Sequence, residues 1–170
     1  FDEGRGGALY VLGCSPLDED FLMRFCTSQS PARNGGGAGI MIESSNGTFQ
    51  RNHEHHNISD SGGGICVAEY GSPLIADCLI TDYSAANGGG GMYFGARSSP
   101  IVERNRILRN HAEINGGGGV NSWTIAALYG TSATLRNNVI AFNTSTTTGG
   151  GAYMRYDRCS SQNDLYAFNS

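Results

Sequence analysis

Four consecutive glycines, in "NGGGGVNSW" at residues 115–123, should weaken a packed domain, because glycine loses more backbone freedom on folding than any other residue. The chain nonetheless repeats the phrase. "NGGGAG" begins at Asn34, "SGGGIC" at Ser61, "NGGGGM" at Asn87 and "TGGGAY" at Thr148, with "RGGALY" at Arg5 as a worn copy. The tracts start at Gly6, Gly35, Gly62, Gly88, Gly116 and Gly149, so the intervals are 29, 27, 26, 28 and 33 residues. A period of this size marks stacked repeats, and a flexible linker would not resume with apolar strands after each tract.

Each tract leads into a short apolar run such as "IMI", "ICV" or "MYF". A polar corner follows, twice with proline ("GSP" at 71–73, "SSP" at 98–100), and then a second strand-like segment such as "LIADCLI" or "IVERNRIL". Units close on an apolar residue three places before Asn, as in "FQRN" at 49–52, "ILRN" at 107–110, "IAFN" at 140–143 and "YAFN" at 166–169. No segment keeps helical spacing for three turns, and even 15–25, with Ser then Pro at its start, fits strand better than a capping helix. The pattern predicts an all-β chain: a single parallel β-helix of about six coils over residues 1–170. Glycine is expected at its corners, to supply φ > 0 and to spare room where backbones stack about 4.8 Å apart.

"GGAL" at 6–9, taken with the F-x-x-N closings, resembles the paired GGA[ILVY] and FxxN repeats of polymorphic outer-membrane autotransporter passenger domains, within the wider pectate-lyase-like right-handed β-helix superfamily. The resemblance covers nearly the whole chain, although most tracts here read GGG rather than GGA. It implies a right-handed coil and an extracellular or cell-surface setting. It leaves function open, because the superfamily includes polysaccharide lyases, glycosidases, adhesins and structural stalks.

Charge narrows the partners. Eleven arginines and no lysine against fifteen acids leave a net charge of −4, which argues against a nucleic-acid footprint. No run of 18 apolar residues offers a membrane span, and no cofactor motif is present. The opening at Phe1, without Met or signal region, reads as a piece of a longer product. Both terminal coils are expected to be uncapped, and so to be continued by flanking coils or by a second copy docking head to tail into a filament.

The expected role is therefore an extracellular structural or adhesive module, with a carbohydrate-active enzyme or carbohydrate-binding β-helix as the alternative. A lyase needs clustered carboxylates and a basic residue, and a glycosidase needs two carboxylates, for which Glu103 with Asp77 or Asp82 is the available set. Nothing singles these out as catalytic.

Several residues carry specific expectations. Setting Pro73 on Pro100 stacks Asp77 on Arg104, Asp82 on Arg109 and Tyr70 on Arg97 as ladder contacts. The closing residues Asn52, Asn110, Asn143 and Asn169 form an amide column broken at Tyr83. In "RNHEHHN" at 51–57, His53 and His55 share a face and are candidate metal ligands, with Glu54 or His56 joining only after a bend. The same alignment sets His53 above His111, two coils away. Sequons at Asn46, Asn57 and Asn143 would mark a glycoprotein, the first two expected in exposed loops and the third facing inward. Of five cysteines, Cys14 and Cys26, like Cys66 and Cys78, stand twelve apart, although the two pairs fall in different columns; twelve residues is nearly half a coil, so opposite walls about 10 Å apart allow only a bridge near a corner. Cys159 is the thiol expected to stay reduced or to bond another chain.

Overall fold

The repeat unit closes into one coil of a parallel β-solenoid, seen in a computed structural model that describes residues 7–28, 36–37, 39–123, 130–155 and 158–170. A full coil carries four short strands. In the third coil these are Ile65–Ala68, Leu74–Ala76, Leu79–Thr81 and Ser84–Asn87, which we assign to sheets A, B, C and D. Stacking of equivalent strands gives six strands in each of sheets A, B and C and five in sheet D. The described residues thus make five four-strand coils and a sixth of three strands. Among them no helix is long and apolar enough to cross a membrane.

Three-residue strands turn their middle side chain inward, so sheets B and C each contribute a single-file, mostly apolar column. Phe49, Ile75, Val102 and Leu135 form it in sheet B, and Ile80, Ile107 and Ile140 in sheet C, all fully buried. The longer strands of sheet A turn two residues in, as with Ile65 and Val67 or Met92 and Phe94. Each such side chain contributes on the order of 1.5–3 kcal/mol. Segment 15–25 supplies two strands, Leu17–Glu19 and Leu22–Arg24.

Sheets B and C share a five-residue phrase: three strand residues, one left-handed corner residue and one inward polar residue. In "TFQRN" and "HEHHN" the corners are Arg51 and His56, with φ of 55° and 56°. The other coils place Asp77 and Asp82, Arg104 and Arg109, Asn137 and Phe142 there. The tracts, where glycine is expected to supply φ > 0, do so at Gly62 and Gly88, while Gly13 has the same conformation outside a tract; the other described glycines have no positive φ, and non-glycine residues supply it at the corners after sheets B and C. Where charged residues take the corners, as at Arg51, Asp77, Asp82, Arg104 and Arg109, their side chains leave the crowded backbone for solvent and pair between coils. The tract glycines serve close approach between sheets D and A. Gly64 N–H donates to the Gly91 carbonyl at 2.9 Å and Gly91 N–H to the Gly119 carbonyl at 3.1 Å, a wall of stacked backbone with no space for Cβ atoms.

Candidate functional site

Two columns of inward polar residues flank sheet C. One runs Asn57, Tyr83, Asn110, Asn143 and Asn169; the other runs Asn52, Cys78, Asn105, Asn138 and Asp164. Asn52 therefore does not belong with Asn110, Asn143 and Asn169. The five-residue phrase repeats within each coil, so every coil has two closings, and the "FQRN" phrase is the first of them. Asn143 shows the bonding: its Oδ1 accepts from Asn110 N–H at 2.9 Å and Asn110 Nδ2 at 3.0 Å, while its Nδ2 donates to the Ile107 carbonyl at 2.9 Å and to Asn169 Oδ1 at 3.1 Å. These amides satisfy backbone groups that the corners would otherwise leave buried and unpaired.

Outside, the corner residues pair across coils. Arg104 grips Asp77 with two bonds, Nε to Oδ1 at 2.9 Å and Nη2 to Oδ2 at 2.8 Å, and Arg109 grips Asp82 at 2.8 and 2.9 Å. Arg51 does the same for Asp20, and the Arg97 guanidinium lies 5.2 Å from the Tyr70 ring centre. Glu103 sits between Arg104 and Arg136, with Arg136 Nε donating to its Oε2 at 2.6 Å. Hydrogen bonds from Arg104 and Arg109 hold Asp77 and Asp82 below the usual carboxylate range. Burial alone would raise Glu103, but bonds from Arg104 and Arg136 outweigh it and lower the group. None of the three is poised as a general acid.

One ionisable pair lies inside. Glu54 occupies the sheet C position held elsewhere by Ile80, Ile107 and Ile140, and it is fully buried. Tyr83 donates to its Oε2 at 3.0 Å and accepts from Asn57 Nδ2 at 2.6 Å, while Glu54 Oε1 meets no hydrogen-bond partner among the described residues. Burial pushes the carboxyl up to about 8, against the opposing bond from Tyr83, so it is protonated at neutral pH. The sequence held the signal: Tyr stands in an Asn column directly beside a Glu in an Ile column.

His53, His55 and His56 gather at the exposed edge of coil two. The His53 and His55 ring centres are 4.9 Å apart, and His55 Nδ1 lies 2.8 Å from His56 Nδ1, with Phe25 of coil one beside both rings. Among the described residues no three His, Cys, Asp or Glu side chains converge as metal ligands. His53 does not align with His111; it pairs in register with Leu22 and Leu79, whereas His111 pairs with Ser84 and Thr144. The offset of one closing that misplaced Asn52 also misplaced His53.

Asn46 is exposed at its corner. Asn57 and Asn143 are fully buried with their amides engaged, so the folded coil has no room for a glycan at either. The expectation of an exposed Asn57 fails because the His-rich stretch is strand and corner rather than loop. Cys14 is exposed and Cys26 half-buried, Cys66 and Cys78 are buried, and none of these four is bridged. Cys159 packs against the core, its Sγ 3.5 Å from Ser122 Oγ.

On the outer face of sheet A, Tyr10, Tyr93 and Tyr153 share one register position with the buried Met41, Cys66 and Asn121 between them, and Trp123 lies beside Tyr93 and Tyr153; the four rings are half-buried. Tyr10 donates to Glu43 Oε2 at 2.5 Å, and Tyr93 to the Trp123 carbonyl at 3.3 Å. Compared with known proteins, the chain matches the family model described as right handed beta helix region over residues 6–165. No curated protein and no solved structure matches it.

Proposed function

Because this chain belongs to the right-handed β-helix family, we propose that it works as a structural or adhesive module of a secreted or cell-surface protein, extended along the coil axis rather than built around a catalytic cleft. One observation carries this reading: Asp77, Asp82 and Glu103, the carboxylate set that the sequence offers for polysaccharide cleavage, are each held by arginine between coils. They act as rungs. The exposed Asn46 sequon suits a secreted protein that carries glycan.

The partner along the axis is further coils, with a second copy of this chain as the concrete case. Phe142 and Phe168 stack with ring centres 5.1 Å apart and 8° between planes, and Phe25 holds the equivalent corner of coil one. Leu22 and Leu165 are likewise equivalent in sheet C. A copy continuing the axis would set Phe25 on Phe168 and Leu22 on Leu165. Electron microscopy of the purified protein under non-reducing conditions tests this. Filaments with an axial repeat near six coil spacings, about 29 Å, are expected. Discrete particles without axial order would rule out self-assembly.

A second reading rests on Tyr93, Trp123 and Tyr153, neighbours on the outer face of sheet A, where half-buried rings suit stacking against sugar faces. Glycan-array binding that disappears in both Tyr93→Ala and Trp123→Ala would favour a carbohydrate-binding face.

A further inference from the structure

We propose that His55 and His56 form a chelating site for a tetragonal divalent transition metal, Cu(II) above all, independent of any role along the axis. The two Nδ1 atoms are 2.8 Å apart, their rings nearly perpendicular at 85°, with His56 held by its left-handed corner at φ 56° and His55 by the strand His53–His55. Metal–nitrogen bonds of about 2.0 Å meeting at a right angle separate the nitrogens by about 2.8 Å, whereas a tetrahedral angle separates them by about 3.3 Å. The bite therefore suits the cis positions of square-planar or tetragonal coordination, which Cu(II) and Ni(II) adopt with imidazole ligands, and suits tetrahedral zinc less well.

The same distance is spanned by an Nδ1–H···Nδ1 hydrogen bond when the metal is absent. Binding replaces that proton, which moves to Nε2 of the same ring through solvent and leaves both imidazoles neutral with both Nδ1 lone pairs on the ion. Two protein nitrogens are supplied, consistent with the lack of a three-residue cluster among the described residues, and water or an external ligand takes the remaining positions. Phe25 walls one side, 5.6 Å from His56 and 6.0 Å from His55. The charged and titratable groups around the pair are Arg24 of coil one, which opposes a dication, Asp82 of coil three, already gripped by Arg109, neighbouring His53, and the buried Glu54 beneath.

The test is Cu(II) added alone, in a non-coordinating buffer at neutral pH, to the N-terminally acetylated chain, followed by calorimetry and electron paramagnetic resonance. Wild type should bind one equivalent with an axial signal split by two nitrogens. His56→Asn keeps a residue that tolerates the left-handed corner and should weaken binding at least as much as the roughly tenfold that outer-shell losses cost. His53→Ala should leave affinity and spectrum nearly unchanged, with the same melting curve. Unchanged binding in His56→Asn, a spectrum without nitrogen coupling, or Zn(II) binding as tight as Cu(II) would each overturn the assignment.

Discussion

Tyr83 donates a 3.0 Å hydrogen bond to Glu54 across 29 residues of sequence and one coil boundary, with both side chains sealed in the core. It is a paired exception: an aromatic residue where the column calls for Asn, facing an acid where the column calls for Ile. The tyrosine hydroxyl also keeps Asn57 Nδ2 satisfied, so three residues act as one unit.

This pair predicts a pH dependence. Glu54 titrates near 8 in the fold and near its ordinary 4.5 when unfolded, so between those values the folded state holds a proton that the unfolded state has lost. Its contribution is then fully present below about pH 4.5 and is lost as pH rises through 8, by up to about 1.4 kcal/mol for each pH unit in that window. Urea unfolding of wild type and Glu54→Gln at pH 5 and pH 8 measures it. The variant should gain on wild type as pH rises, and a difference independent of pH would contradict the assignment.

Asn143→Ala should be among the most costly single changes in the chain. It strands Asn110 N–H in the core, at a cost of about 1–3 kcal/mol, and takes away the amide bonds to Asn110 Nδ2 and to the Ile107 carbonyl. Arg104→Ala breaks three bonds, yet its guanidinium is half exposed, so the loss should be small and should fade as salt is added. Equal losses for the two variants would refute the view that the buried amides hold the coils in place.

Gly63 and Gly13 should respond oppositely to substitution. A Cβ on Gly63 runs into the carbonyl oxygen of Gly90, which is backbone and has nowhere to move, so Gly63→Ala should fail to fold or melt far lower. Gly13 has open space around it and φ of 64°, so Gly13→Asn, compatible with that conformation, should be tolerated. Circular dichroism melts distinguish the outcomes.

Thiol labelling should be graded. Burial raises Cys66 and Cys78 to about 12, so neither presents a thiolate at neutral pH, whereas Cys14 is exposed. A maleimide pulse should mark Cys14 in the native protein and reach Cys66 and Cys78 only after denaturation, as read by peptide mass spectrometry.

The solenoid was legible because backbone crowding and strand length are local properties: glycine tracts and three-residue strands appear in the sequence at a fixed period. The 27-residue offset that joins Asp77 to Arg104 and Asp82 to Arg109 was legible for the same reason. What the sequence obscured was a second, shorter period. Asn52 and Asn57 stand five apart in near-identical phrases, and choosing the wrong member moved Asn52 and His53 one column out of place. The left-handed corners at Arg51, Asp77 and Arg104 were hidden too, since nothing in an arginine or aspartate announces positive φ. The His55–His56 bite depends on ring orientation, which no spacing rule supplies.

The two polar columns also divide each coil into parts that answer differently to a change in length. Bonds along the first column join residues 31, 27, 33 and 26 apart, from Phe21 to Asn52, Cys78 to Asn105, Asn105 to Asn138 and Asn138 to Asp164. Along the second the separations are again 31, 27, 33 and 26, from Cys26 to Asn57, Tyr83 to Asn110, Asn110 to Asn143 and Asn143 to Asn169. All variation in coil length therefore falls in the arc running from sheet D through A to B, and none between the columns. A peptide grafted into that arc would lengthen one coil and leave both amide rows aligned. One residue added between Asn105 and Asn110 would turn over the side chains of a whole strand and put Ile107 in solvent.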